Sequence, residues 1–160
     1  MKYLLISMIL ITGCSKNDPM KSDLDLWENG VQSREQGDFR SSISFFNKII
    51  ANYPKSSYSD KAQFQIADIY LNEIKDFQFA IAEFTNLINL YPSSELCRKA
   101  SFMIAYIYAN YLDAYSIAID DYNAFLEKYP DDELVPSVNF ELNNLMKYKS
   151  TIDSLNNILR

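Results

Sequence analysis

The chain has 160 residues, 48% of them hydrophobic, and carries 15 Lys and Arg against 21 Asp and Glu for a net charge of −6. That length supports one domain with a real core, the hydrophobic fraction excludes disorder throughout, and the acidic balance excludes the basic footprint that nucleic acid requires. With no His the commonest general base and metal ligand are missing together, and 3 Gly against 12 Tyr and 10 Phe favour packed helices over a loop-rich fold.

The first segment reads as an address. Lys2 supplies a positive start, and Leu4 to Ile11 is an apolar run far short of the ~20 residues that span a bilayer; these are the proportions of a signal peptide. The run ends Ile11-Thr12-Gly13-Cys14, which resembles the lipobox of bacterial lipoproteins. The resemblance implies removal of residues 1–13 and acylation, palmitate included, at Cys14. Several acyl chains, at about 0.8 kcal/mol per buried CH₂, hold a protein firmly on a membrane. By the same resemblance Ser15, which is not Asp, implies the outer membrane. Residues 14–22 continue as a polar leash. With Cys14 lipidated, Cys97 has no partner for a disulfide within the chain and is expected to be a small buried side chain.

From residue 23 a single unit repeats. Three Tyr-Pro pairs, Tyr53-Pro54, Tyr91-Pro92 and Tyr129-Pro130, stand 38 residues apart. The same step aligns Phe39, Phe77 and Tyr115; Ser42, Ala80 and Ala118; and Phe46, Phe84 and Tyr122. Apolar residues recur at three and four, the spacing of one helical face. The small column permits close helix approach, and proline ends each helix. Each unit therefore reads as helix, turn, helix and a Pro-marked corner, where serines are expected to cap the next helix. Such a unit resembles the tetratricopeptide repeat, although 38 residues exceed the usual ~34. The resemblance implies an all-α, right-handed superhelix with repeats at about 23–56, 57–94 and 95–132. A cap over 133–160 carries Leu142, Leu145, Ile152, Leu155 and Leu159 on one stripe; solenoids need such an end.

No catalytic constellation is legible. Ser-His and Cys-His pairings are impossible without His, the Gly content excludes a phosphate-cradling loop, and Asp131-Asp132-Glu133 sits where acids complement a helix start. No enzyme activity, metal, cofactor or small-molecule substrate is expected. In the resembled family the first helices line an inner groove, and the 38-residue step assigns it Trp27, Gln65 and Met103, then Val31, Ile69 and Ile107, then Arg34, Asn72 and Asn110, with Tyr111 adjoining. An apolar strip with polar neighbours suits a peptide. One column departs from the family: Asp68 and Tyr106 fall where Gly30 stands and a small residue is usual. Either the helices splay there or these side chains reach solvent.

The lipobox Cys followed by Tyr-Pro-x-Ser corners, and the stretch from Gly37-Asp38-Phe39 through Tyr53-Pro54 to Ile66-Ala67, resembles the BamD family of outer-membrane lipoproteins over residues 24 to 145. This implies a lipid-anchored scaffold at the outer membrane, facing the periplasm, with barrel-assembly components or unfolded outer-membrane proteins as partners. BamD has about five repeats, so the contact made by its last ones is not implied here. The periplasmic repeats of the Tol-Pal-associated YbgF/CpoB family are similar in number, and a lineage-specific lipoprotein adaptor is the remaining alternative.

Overall fold

The computed structural model describes residues 21–158. The expectations for the signal segment, for Cys14 and for the leash up to residue 20 lie outside the described residues, as do those for the side chains of Ile152, Leu155 and Leu159.

Among the described residues seven α-helices follow one another: α1 (Asp23–Glu35), α2 (Phe39–Asn52), α3 (Ser59–Ile69), α4 (Phe77–Leu90), α5 (Leu96–Asn110), α6 (Tyr115–Lys128) and α7 (Val135–Ile158). No strand occurs among the described residues. α3 runs on into one π-helical turn, Tyr70–Ile74. The helices stack as antiparallel pairs, α1 with α2, α3 with α4 and α5 with α6, and α7 closes the array against α6. The fold is the all-α tetratricopeptide-type solenoid.

Local chemistry sets the boundaries. Ser22 and Asp25 form a capping box at the start of α1, which satisfies two of its free N–H groups at once. Asp38 and Asp76 cap α2 and α4 by accepting from the N–H of Ser41 and Phe79, both at 3.1 Å. At the other end Tyr53, Tyr91 and Tyr129 take extended φ values of −132°, −129° and −133°. The proline that follows each of them disfavours the helical conformation. The corner serines act one step away from the expected role. Ser56 and Ser94 are not N-caps; their Oγ atoms accept from the N–H two residues on, in Tyr58 and Leu96.

Three core clusters, one per repeat, run through the stack. Phe46, Phe84 and Tyr122 are each wholly buried. Every one of them meets an aromatic from its own first helix: Trp27 at 5.4 Å, Phe64 at 5.2 Å and Phe102 at 5.8 Å between ring centroids. A second face of each later first helix packs back on the preceding pair, through Ala62, Ile66 and Ile69, through Ala100 and Ile107, and through Val138, Leu142 and Leu145. On α1 the equivalent positions are Asp25, Asn29 and Gln32, which suits a face turned to water.

These contacts correct the register of the first helices. Gly30, Ala67 and Ala105 are the buried small residues facing Phe46, Phe84 and Tyr122. The steps between them are 37 and 38 residues. The physical reason is one additional residue ahead of α4 and α6. The Asp38 N–H closes on Ser33, five residues back, whereas the Asp76 and Ala114 N–H groups close on Tyr70 and Tyr108, six back. Neither splayed helices nor fully exposed side chains are needed at Asp68 and Tyr106: both sit one residue beyond the small column and are half-buried. Ile69 and Ile107, expected in the groove, are fully buried against the preceding pair. They are core residues and line no groove.

Each corner is tied back to the start of its own repeat's first helix. Ser56 donates to Asp23 and Ser94 donates to Asp60, each at 2.6 Å. At the third corner Asp132 holds the serine position and accepts from Arg98 Nε at 2.7 Å. Cys97 is buried, occupies the position of Ser59, and repeats its contact: both donate to the carbonyl of the corner tyrosine, Ser59 to Tyr53 and Cys97 to Tyr91. Burial pushes the Cys97 thiol up, which keeps it protonated for that role.

Candidate binding face

The first helices lie side by side, and their shared face has two chemically distinct halves. Toward the N-terminus, Arg34 at the end of α1 reaches across to α3. Its Nη1 donates to Gln65 Oε1 at 2.6 Å, and its Nη2 donates to Asp68 Oδ2 at 2.5 Å and to Glu73 Oε1 at 3.2 Å. Asn72 Nδ2 donates to the other oxygen of Asp68 at 2.9 Å. One guanidinium thus serves two carboxylates, so this half carries net negative charge. The Arg34 and Asp68 side chains are only about a quarter exposed, at 23% and 24%. That shielding raises the worth of the pair above that of a surface ion pair.

Toward the C-terminus the face is aromatic. Phe77 stacks on Tyr111 at 4.4 Å, Tyr111 meets Tyr106 edge-on at 6.1 Å, and Tyr106 stacks with Phe102 at 6.1 Å. Phe102 in turn leans on Tyr122. Tyr111 is the open end of this run, 45% exposed. Burial raises the phenols of Tyr106 and Tyr122 above their ordinary range, and the carboxylate of Glu141 adds to both shifts. The Tyr122 hydroxyl is buried without a hydrogen-bond partner among the described residues. Stacked rings beside a carboxylate can receive an aromatic or a cationic side chain of a partner.

The structure brings Arg34, Gln65 and Asn72 together, and separately gathers Tyr111 with its aromatic neighbours. Trp27 is half-buried, stacked on Tyr58 at 5.4 Å and tilted against Phe46; it is packing, not groove. Val31 packs against the first core cluster. Met103 packs on the second cluster and lines a cavity of about 470 Å³ with Phe102 and Lys99. Asn110 is exposed, its amide donating to the Tyr106 carbonyl at 3.1 Å. Asp68, Glu73, Tyr106 and Glu141 were missed as face residues. The small-residue column would have found Asp68 and Tyr106, since it shifts the first helices by one position. Among the described residues no group of three or more His, Cys, Asp or Glu side chains is arranged to hold a metal. No described helix is long and apolar enough to cross a membrane.

The profile of the tetratricopeptide repeat family matches residues 30–56, 61–94 and 99–132, together more than half of the chain. The chain belongs to the tetratricopeptide repeat family, whose helix pairs build scaffolds for protein–protein interaction. No curated protein matches it.

Proposed function

We propose that this protein is a lipid-anchored, non-enzymatic scaffold at the outer membrane, facing the periplasm, with a BamD-like role in outer-membrane protein assembly. One observation carries the reading: a face of ionic and aromatic side chains stands on the same chain as an Ile11-Thr12-Gly13-Cys14 segment that resembles a lipobox. The rings of Tyr106 and Tyr111, with Glu141 near the first of them, suit the aromatic-rich, extended segments of unfolded barrel proteins. Acylation at Cys14 supplies the tether, and the leash that follows lets the solenoid reach partners near the membrane.

The test has two arms. Mass analysis of the N-terminus, with a Cys14→Ser variant alongside, reads the anchor; membrane fractions containing unprocessed or unacylated chain overturn it. A photo-crosslinker at Asn72 or Tyr111, both on the shared face, reads the partner in cells. Capture of barrel-assembly components or nascent outer-membrane proteins supports the BamD-like role. The matched repeats number three, which favours a second reading as a Tol-Pal-associated, YbgF/CpoB-like adaptor of the cell envelope. Capture of Tol components instead decides for that reading. Capture of neither class sets both aside in favour of a lineage-specific lipoprotein adaptor.

A further inference from the structure

The corners lie along one edge of the solenoid, and their charge runs in one direction. Lys55, Ser93 and Asp131 are equivalent positions, as are Ser57, Glu95 and Glu133. The edge therefore passes from basic at the first corner to acidic at the third, in a chain that is acidic overall.

The basic end draws on the segment ahead of α1, on α2, on the first corner, on α3 and on the end of α4. Lys21 and Lys48 both stand over the ring of Phe45, with Nζ at 5.2 Å and 5.3 Å from its centroid. The Tyr53 hydroxyl donates to the Lys21 carbonyl at 2.8 Å, so the incoming chain is pinned to this same corner. Beyond Pro54, Lys55 and Lys61 line one open cavity of about 540 Å³ together with Leu90, Pro92 and Ser57. Leu90 is 60% exposed there. Asp60 lines the same cavity and keeps its charge while accepting from Ser94, as Asp23 does from Ser56, so Lys21 and Lys48 supply the excess of positive charge at this end. Lysines around an exposed Leu and two prolines match an anionic headgroup layer with its apolar boundary beneath.

We propose that the first corner is a membrane-contact surface for anionic phospholipid headgroups, with Lys21, Lys48, Lys55 and Lys61 as the charged contacts and Leu90 as the apolar tip. This rests on the membrane location proposed above. The geometry agrees with it: the leash from Cys14 to Lys21 spans at most roughly 25 Å, and it ends at this corner. Contact here directs the acidic third corner away from the bilayer.

The polypeptide from Ser15 to Arg160 tests the surface without any acyl chain, since all three core clusters and both end helices lie within it. Co-sedimentation with phosphatidylglycerol vesicles, weakening as salt is raised, and none with phosphatidylcholine vesicles is the expected result. Lys55→Glu with Lys61→Glu lowers that binding roughly tenfold or more, while Lys147→Glu with Lys149→Glu, on α7, leaves it unchanged. Equal binding to both vesicle types, or equal loss from the α7 pair, overturns the proposal. So does displacement by inorganic phosphate at constant ionic strength, which assigns the site to free phosphate. Because no acylation enters this readout, its failure is separable from failure of the anchor at Cys14.

Discussion

Gly30 lies against the ring of Phe46 with no room for a side chain: a Cβ built there falls 2.6 Å from Cε1 of that ring. Its carbonyl accepts from Ser42 Oγ at 2.8 Å, so α1 and α2 are fastened where they are closest. Phe46 is wholly buried and cannot swing aside. Gly30→Ala is expected to cost roughly 1–3 kcal/mol by overpacking. Ala67 and Ala105 show that the same position accepts a methyl in the later repeats. Urea melts followed by helical circular dichroism compare the three sites.

Phe84 and Phe140 separate burial from mere hydrophobicity. Phe84 is fully buried between α3, α4 and α5, whereas Phe140 is 64% exposed. Phe140 stands 38 residues after Phe102, yet no described helix plays for it the part that α6 plays for Phe102. Phe84→Ala should cost about 3–5 kcal/mol, and Phe140→Ala less than about half a kcal/mol. Chemical melts of the two variants read the difference; a Phe84→Ala loss as small as that of Phe140→Ala would put the core elsewhere.

The third corner offers a charge-swap experiment. Arg98→Asp sets a carboxylate against Asp132, whose partner it removes; a loss of about 1 kcal/mol or more is expected from the like charges. Adding Asp132→Ser recreates the Ser-to-Asp pairing of the first two corners and should recover most of that loss. A double-mutant cycle gives the coupling directly. A simple sum of the two single losses would show that the pairing has no influence on how the third repeat closes at its corner.

Acid should loosen the solenoid partly through its helix caps. A hydrogen bond from Ser41 holds the Asp38 carboxyl below its ordinary 3.8, and one from Ser22 does the same for Asp25. A carboxyl depressed in the folded state contributes stability that is fully present above its unfolded value. That contribution is lost as pH falls through the folded one. Asp38→Asn retains a cap that does not titrate. Unfolding free energy followed downward from neutral pH should therefore fall less steeply below about pH 4 in Asp38→Asn than in the native chain. Parallel curves would exclude this cap from the acid response.

Much of the architecture was readable because the second helices repeat without interruption. Phe46, Phe84 and Tyr122 step evenly, and Tyr-Pro marks each helix end by a local rule that tertiary context does not override. The first helices were harder. One residue more ahead of α4 and α6 is absorbed in the π turn at Tyr70–Ile74 and in the six-residue closure onto Tyr108, and neither leaves a proline or glycine as a signpost. A step counted on the second helices thus carried Ile69 and Ile107 onto a face they do not reach. The ionic half of the binding face was half legible: Arg34, Gln65 and Asn72 were named, but Asp68 and Glu73 are joined to them only by side chains that cross between helices.

The reversal at the third corner sits inside its own module. Asp23 with Ser56, Asp60 with Ser94 and Arg98 with Asp132 each join the start of a unit's first helix to the corner that ends the same unit, so whole units carry their pair with them. A graft that exchanged only the first helices of the second and third units would oppose Asp60 to Asp132 and set Arg98 against Ser94. Chimeras of this array should therefore tolerate cuts between units better than cuts between the two helices of one unit.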